Sequence, residues 1–382
     1  METVELLEII SRGEDSRHQF KKNINNPDAL AAEIVAFSNS DGGKIIIGVD
    51  DDGTISGLTL KDISRLNELL SSVASQNVRP AVNVSSENIK IDGALVMTIS
   101  VSEGLNKPYQ DKNGITWVKV GADKRKNISR EEMQRMYRQS ELIYADELPV
   151  KSATVADLDI PYFKDFFHKR YGKLIDEQPL SLTRIVENMG LLKDDSLTLA
   201  GTLLFAKEPQ FKRPVFIVKA GAFDADDLTT DRYIDSRDIT GKLGDVFLLT
   251  KGFILSNLRH IQGDQGVNSI GIPEIPAETI EELVANALIH RDYFISSPVR
   301  VFVFRNRVEI ISPGHLPNKL TVEQIKSGLS NVRNHSLASF ANHILPYRGY
   351  GAGILRALEH YSDIDFIDDR DGNQFKAILK RR

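Results

Sequence analysis

The sequence predicts an α+β protein of more than one domain, and three observations carry that prediction. Aspartate–glycine turns at Asp50-Asp51-Asp52-Gly53 and Asp92-Gly93 close pairs of short apolar strands. Amphipathic runs such as Ile280, Leu283, Val284, Ala287 and Leu288, spaced i, i+3, i+4, i+7, i+8, mark helices pressed onto a core. A length of 382 residues, 41% hydrophobic and 26% charged, suits two or three domains at roughly 100–200 residues each.

Composition narrows the function classes. A formal net charge of -5 argues against a wholly basic nucleic-acid coat and leaves room for a local basic patch. With 0 Cys, disulfides, thiol catalysis and cysteine-based zinc or iron–sulfur sites are excluded. No apolar run approaches the ~20 residues of a membrane span, and the N-terminus lacks a signal-peptide pattern, so a cytoplasmic protein is expected. The chain also lacks a G-x-x-x-x-G-K-[ST] loop, which removes a P-loop motor.

Residues 1–145 form the first expected domain. A short amphipathic helix carries Val4, Leu6, Leu7, Ile9 and Ile10, and a second follows Pro27 with Ala31, Ile34, Val35 and Phe37 inward. Gly42-Gly43 ends that helix, because glycine tolerates left-handed dihedrals. Strands are expected at Lys44 to Val49, on both sides of Asp92-Gly93, and at Ile115 to Val120. Ser129 with Glu132 three residues on is a capping box opening another helix.

Residues 146–195 read as a helical linker, polar at first, then helical from Asp157 to Tyr171 and around Leu182 to Met189. A turn and a strand at Leu203-Leu204-Phe205 would follow. No recognition helix with clustered Arg, Lys, Gln or Asn at its start is visible there.

In residues 196–382, strands are expected at Val215 to Ala220, Val299 to Phe304, Val308 to Ile311, Ile364 to Ile367 and Phe375 to Leu379. A long helix should run from Gly244 to Asn257, before a loop at Gly263 to Gly266. The next begins at Pro276, tolerated because its missing N–H would be unpaired there. On that helix Glu282, Asn286 and His290 fall at i, i+4 and i+8 and stack as one polar stripe. Such a stripe can hold a metal, a water or a phosphate, or simply cap neighbouring loops. Gly349-Tyr350-Gly351-Ala352-Gly353 opens the helix Ile354 to Tyr361. Glycines there let backbone approach an anion that faces free N–H groups and the positive helix end.

Two resemblances follow from these motifs. Phe20-Lys21, the run Ala36 to Gly43 and Ile47 to Gly53, with Lys107-Pro108-Tyr109 and Val118 to Gly121, resemble the Schlafen-type, Alba-like DNA-binding domain over most of residues 1–145. That resemblance implies a mixed-sheet domain that binds DNA or RNA. Lys119, Lys124, Arg125 and Lys126 are then the candidate phosphate contacts, a solvated loop being the bland alternative. Trp117 reads as core rather than as a base-stacking platform. Some Schlafen relatives cleave nucleic acid with clustered carboxylates, for which Glu14 and Asp50 are the matching positions. Gln19 stands where many relatives carry an acid, and a neutral amide cannot supply the charge that two-metal chemistry needs. A metal-dependent nuclease is therefore the weaker alternative, with a non-catalytic interaction module beside it.

Glu282-x-x-x-Asn286-Ala287-x-x-His290-Arg291-Asp292-Tyr293, Ser312-Pro313-Gly314 and Arg348 to Gly353 resemble the N-box and glycine boxes of the GHKL fold (gyrase, Hsp90, histidine kinase, MutL). The version they are most similar to is the divergent one in bacterial proteins labelled RecG-like or as transcriptional regulators. It implies an α/β sandwich across residues 196–382 that binds ATP with Mg²⁺, in a homo-oligomer, expected to be a dimer. By that resemblance Asn286 would ligate Mg²⁺, and Glu282 would polarise water as general base. His290, Ser312 and Gly314 would line the site, Gly349, Gly351 and Gly353 would wrap the phosphates, and Arg333 or Asn334 would come from a lid. Ser312-Pro313-Gly314 departs from the Asp with which this fold usually reads adenine. The chain ends at its last strand, so no C-terminal winged helix is expected. The function expected overall is a nucleic-acid-binding regulator coupled to a domain that binds ATP, with hydrolysis as a further activity open to it.

Overall fold

The computed structural model describes residues 3–126, 128–140, 143–228, 233–262, 271–317, 320–347, 349 and 351–381. The chain divides into two compact units, Met1–Ile143 and Tyr144–Arg382.

The first unit is built on a four-stranded mixed sheet in the order His18–Lys21, Gly43–Ile47, Ala94–Val101, Val84–Ile91. Its first two strands pair in parallel and the rest antiparallel. Both anticipated turns form. Asp50 N donates to Thr54 O at 2.8 Å, and Asp92 and Gly93 take φ of 48° and 90°, the left-handed pair that a two-residue hairpin requires. The Pro27–Asn39 helix starts from Asn26, whose side chain accepts from Asp28 N and Ala29 N. It is buried on nearly every side, as its unbroken run of small and apolar residues suggests. Asn39 closes it. Its amide donates to Tyr109 O at 2.9 Å and Trp117 O at 2.8 Å, and its oxygen accepts from Tyr109 N at 2.7 Å. The Leu60–Ser72 helix, which the motif reading passes over, has a Thr59–Asp62 capping box and buries Leu66 and Leu70.

The second unit is built on a six-stranded sheet in the order Tyr233–Ile239, Val218–Phe223, Val299–Val303, Arg307–Pro313, Gln374–Lys380, Ile364–Asp369. Only Val218–Phe223 and Val299–Val303 pair in parallel. The Leu243–Ser256 and Ala277–Ile289 helices pack on this sheet, and Gly353–His360 packs on Ala277–Ile289. The Ala145–Ala206 stretch feeds Phe163, Phe166, Leu203 and Phe205 into the same apolar cluster as Val301, Ile310 and Leu379. Where a strand was expected at Leu203-Leu204-Phe205, the chain is the helix Leu199–Phe205, capped by Thr198 onto Gly201 N and buried all round. Continuous apolar sequence fits either element, and the cap decides it. The expected loop at Gly263 to Gly266 lies outside the described residues.

Candidate nucleotide pocket and basic cluster

The polar stripe predicted on the Ala277–Ile289 helix forms one wall of a pocket. Ile280, Leu283, Val284 and Leu288 are buried and fix the helix's rotation, which turns Glu282, Asn286 and His290 to that wall. Glu282 Oε1 accepts from Arg356 Nε at 2.7 Å and lies 2.5 Å from Arg356 Nη2. The buried Asn286 amide nitrogen has no hydrogen-bond partner among the described residues. A buried polar group in that state is costly unless something else meets it.

The glycine run supplies the facing wall. Gly349 and Gly351 have φ of 70° and 74°, and Gly353 is the first residue of the Gly353–His360 helix. A Cβ on Gly351 would lie 2.8 Å from Gly328 O. One on Gly353 would lie 2.7 Å from Glu282 Oε2 and 3.1 Å from Asn286 Nδ2. These glycines therefore permit a close approach that any side chain would block. Arg348 and Tyr350, part of the second glycine box, lie outside the described residues.

The third wall is the end of the Arg307–Pro313 strand. Ser312 Oγ donates to Ala287 O at 2.9 Å and so ties strand to helix. Gly314 follows with φ 99°, where a Cβ would collide with Arg333 Nη1 and stand 2.6 Å from Asp292 Cβ. His290 lies 3.2 Å from the Tyr347 hydroxyl through Nε2. Burial, with the Arg333 charge second, pushes its pKa down to about 4, against a hydrogen bond that the ring donates to the Asn331 backbone. The imidazole is therefore neutral at pH 7. Burial, then the Glu282 charge, raises the Tyr347 pKa, so that hydroxyl keeps its proton.

Together these walls border about 970 Å³ of atom-free space, open solvent at the mouth included. Leu283, Ile310, Leu316, Leu320, Ile325 and Phe375 supply apolar lining, and Glu282, Asn286, Arg356 and the glycine run supply polar lining. The uncommitted Asn286 amide NH₂, beside a helix start with no side chain in the way, can donate to an anionic oxygen.

Of the residues singled out in sequence, Glu282, Asn286, His290, Ser312, Gly314, Gly349, Gly351 and Gly353 converge on this pocket. Arg333 and Asn334 do not line it. Arg333 Nη2 donates to His315 O at 2.7 Å beneath Gly314. Asn334 is 0% exposed and donates to Ile289 O at 2.7 Å and Arg291 O at 2.8 Å, bracing the end of the polar helix. Ser330, Asn331 and Arg356 line the pocket without having been singled out. Arg356 was recoverable, since it stands three residues beyond Gly353 on the helix the glycines open.

The basic cluster of the first unit is also redistributed. Lys119, expected at the surface, has only 1% of its side chain exposed and points inward. Its Nζ donates to Gln19 Oε1 at 2.7 Å and lies 4.0 Å from Glu33 and 4.9 Å from the Phe37 ring centre. Burial lowers its pKa, and the Glu33 charge opposes that. Lys124 pairs with Glu33 at 2.5 Å and Arg125 with Glu132 at 2.5 Å. Lys126 is exposed. Glu14 accepts from the Gln19 side chain and from Phe20 N, while Asp50 pairs with Lys22 at 3.4 Å. Trp117 is half-buried against the core and donates to Asp111 at 2.9 Å. Among the described residues no group of three or more His, Asp or Glu converges as a metal-ligand set.

The fold and site define a class: a two-unit α+β protein with a mixed-sheet domain followed by a sheet-and-helix domain bearing a glycine-walled pocket. Comparison with known proteins gives that class its families. Residues 14–129 match the family model "Schlafen, AlbA_2", and residues 296–378 match "Putative ATP-dependent DNA helicase recG C-terminal". The chain thus carries a Schlafen/AlbA_2 domain followed by a RecG-type, ATPase-like C-terminal domain. The second match begins beyond the helix that supplies Glu282 and Asn286. The crystal structure of the DIP2311 protein from Corynebacterium diphtheriae is 20% identical with a TM-score of 0.47, covering 99% of this chain and 80% of that one. The solution structure of the N-terminal domain of a RecG-related protein from Nitrosomonas europaea is 21% identical with a TM-score of 0.27, covering 34% of this chain and 96% of that one. No curated protein matches the chain. Among the described residues, no helix is long and apolar enough to cross a membrane.

Proposed function

We propose that this protein is a nucleic-acid-binding regulator whose second unit binds ATP with Mg²⁺ in the glycine-walled pocket. The observation that carries the reading is the convergence of Glu282, Asn286, Ser312 and the Gly349, Gly351 and Gly353 run on one cavity that has apolar and polar lining. The apolar side chains take the base. Ser312, whose proton is committed to Ala287 O, presents lone pairs and accepts from the adenine amino group in the role an Asp would fill. The glycine run takes the phosphates, with Gly353 at a helix start that favours anions. Asn286 and the phosphates would hold Mg²⁺, which neutralises phosphate charge when bound. Glu282 is the one carboxylate lining the pocket among the described residues, and it is the candidate general base for hydrolysis.

The Schlafen/AlbA_2 match supports DNA or RNA as partner of the first unit. The exposed Lys126, with Arg125 beside it, is the phosphate-contacting surface. Nucleotide acts by binding two states of the whole chain unequally, and so changes its nucleic-acid affinity. Isothermal titration of the full-length protein with ATP and Mg²⁺, beside Asn286→Ala, tests the reading. Saturable binding that Asn286→Ala weakens supports it, and a wild type that neither binds nor hydrolyses ATP removes it.

A further inference from the structure

Among the described residues lining the pocket, Arg356 is the only Lys or Arg. It sits on the first turn of the Gly353–His360 helix, three residues from the glycine that faces Glu282 and Asn286. Its side chain is 28% exposed, so an incoming ligand can reach it, whereas that of Glu282 is 12% exposed. Both of its contacts to Glu282, 2.7 Å from Nε and 2.5 Å from Nη2, fall on the single oxygen Oε1. A guanidinium fork matches two oxygens of one anion best, so this pairing leaves half of its geometry unused. A terminal phosphate offers the two oxygens that Oε1 alone does not. The adjoining cleft carries Glu278 and Glu281, and Glu281 is paired with Lys251 at 2.5 Å, so Glu281 has its own cation and does not compete for Arg356.

We propose that Arg356 determines how many phosphates the pocket's ligand must carry. It is shared between Glu282 and the terminal phosphate of a nucleoside polyphosphate, and it leaves the carboxylate when that phosphate arrives. A nucleoside or monophosphate cannot compete for it, so Glu282 stays paired. The inference rests on the nucleotide reading above and adds to it the residue that selects for phosphate number.

The test is to measure the affinities of adenosine, AMP, ADP and ATP with Mg²⁺ for wild type, Arg356→Met and Glu282→Gln, each checked for a cooperative thermal melt. Wild type is expected to bind ADP and ATP more tightly than adenosine and AMP, and AMP binding as tightly as ADP overturns the proposal. Arg356→Met should lower ATP affinity by about 10- to 100-fold, the worth of one charged hydrogen-bonded contact, with adenosine unchanged. Glu282→Gln should raise ATP affinity, because it removes the competitor for the guanidinium. A pair serving only to hold two helices together predicts instead that both substitutions weaken all four ligands alike. If Arg356→Met does not fold, Glu282→Gln decides alone, and ATP affinity at or below wild type overturns the proposal. Wild type binding none of the four removes the nucleotide reading and this proposal with it. Binding with an unchanged ATP-to-adenosine ratio in Arg356→Met removes this proposal only.

Discussion

Lys119 Nζ donates to Gln19 Oε1 at 2.7 Å, joining residues 100 positions apart in the first unit. With Glu33 4.0 Å away and 4% exposed, the ammonium is an internal charge rather than a surface one. Lys119→Met leaves Glu33 paired with Lys124 and strips the buried Gln19 oxygen of its donor, so it should cost about 1–3 kcal/mol in urea unfolding. It should leave the salt dependence of nucleic-acid binding unchanged. Lys126→Ala should do the reverse, preserving stability and lowering the slope of log affinity against log salt by about one. Equal salt slopes for the two variants would return Lys119 to the surface cluster.

Gly351, in the loop, and Gly353, at the helix start, should fail differently when given a methyl group. Gly351 has φ 74° and a Cβ there would meet Gly328 O at 2.8 Å, so Gly351→Ala meets backbone strain and a fixed carbonyl. A loss of about 1–3 kcal/mol in stability is expected. A Cβ on Gly353 meets only the side-chain ends of Glu282 and Asn286, which can move. Gly353→Ala should therefore melt near wild type but bind nucleotide more weakly. Thermal melts and titrations of both variants separate the two effects, and matching melts would contradict this division.

The polar stripe and the glycine run were legible because each obeys a local rule, helical spacing in one case and glycine at a helix start in the other. Their convergence was legible only by resemblance, since the residues between Asn286 and Gly349 fold into strands whose pairing no local pattern fixes. Strand Tyr233–Ile239 was missed for a physical reason: as an edge strand, mostly exposed, it carries Asp235, Arg237 and Asp238 and lacks the apolar alternation that marks a half-buried strand. Lys119 and Asn334 were misplaced for a related one. A polar residue in a polar run looks solvated, and only long-range partners such as Glu33 or the Ile289 carbonyl show that it is buried.

His290 makes the second unit sensitive to acid. Its folded pKa of about 4 lies below the unfolded value of about 6.5, so the unfolded chain binds the proton first. The stability this represents is complete above pH 6.5 and is lost as pH falls from 6.5 toward 4. The loss reaches at most about 3 kcal/mol, because the ring borders the pocket and is partly exposed. His290→Gln should flatten the melting temperature over that window relative to wild type. An unchanged profile would mean that His290 is not held neutral by its surroundings.

Ser312 should confer the base preference. Its hydroxyl donates to Ala287 O at 2.9 Å, which leaves only acceptor lone pairs for a ligand. Adenine presents a donor amino group where hypoxanthine presents a carbonyl, so the wild type should bind ATP more tightly than ITP. One neutral hydrogen bond, set against the repulsion of two acceptors, makes a difference of about fivefold to tenfold. Ser312→Ala removes the acceptor and should bring the two nucleotides to nearly equal affinity, with ATP weakened more than ITP. The same substitution also loses the strand-to-helix tie, so a melt measured beside each titration is needed to separate looser packing from lost recognition. Looser packing would weaken ATP and ITP together and keep their ratio. A ratio that stays at the wild-type value in a well-folded Ser312→Ala would show that the base does not meet this hydroxyl.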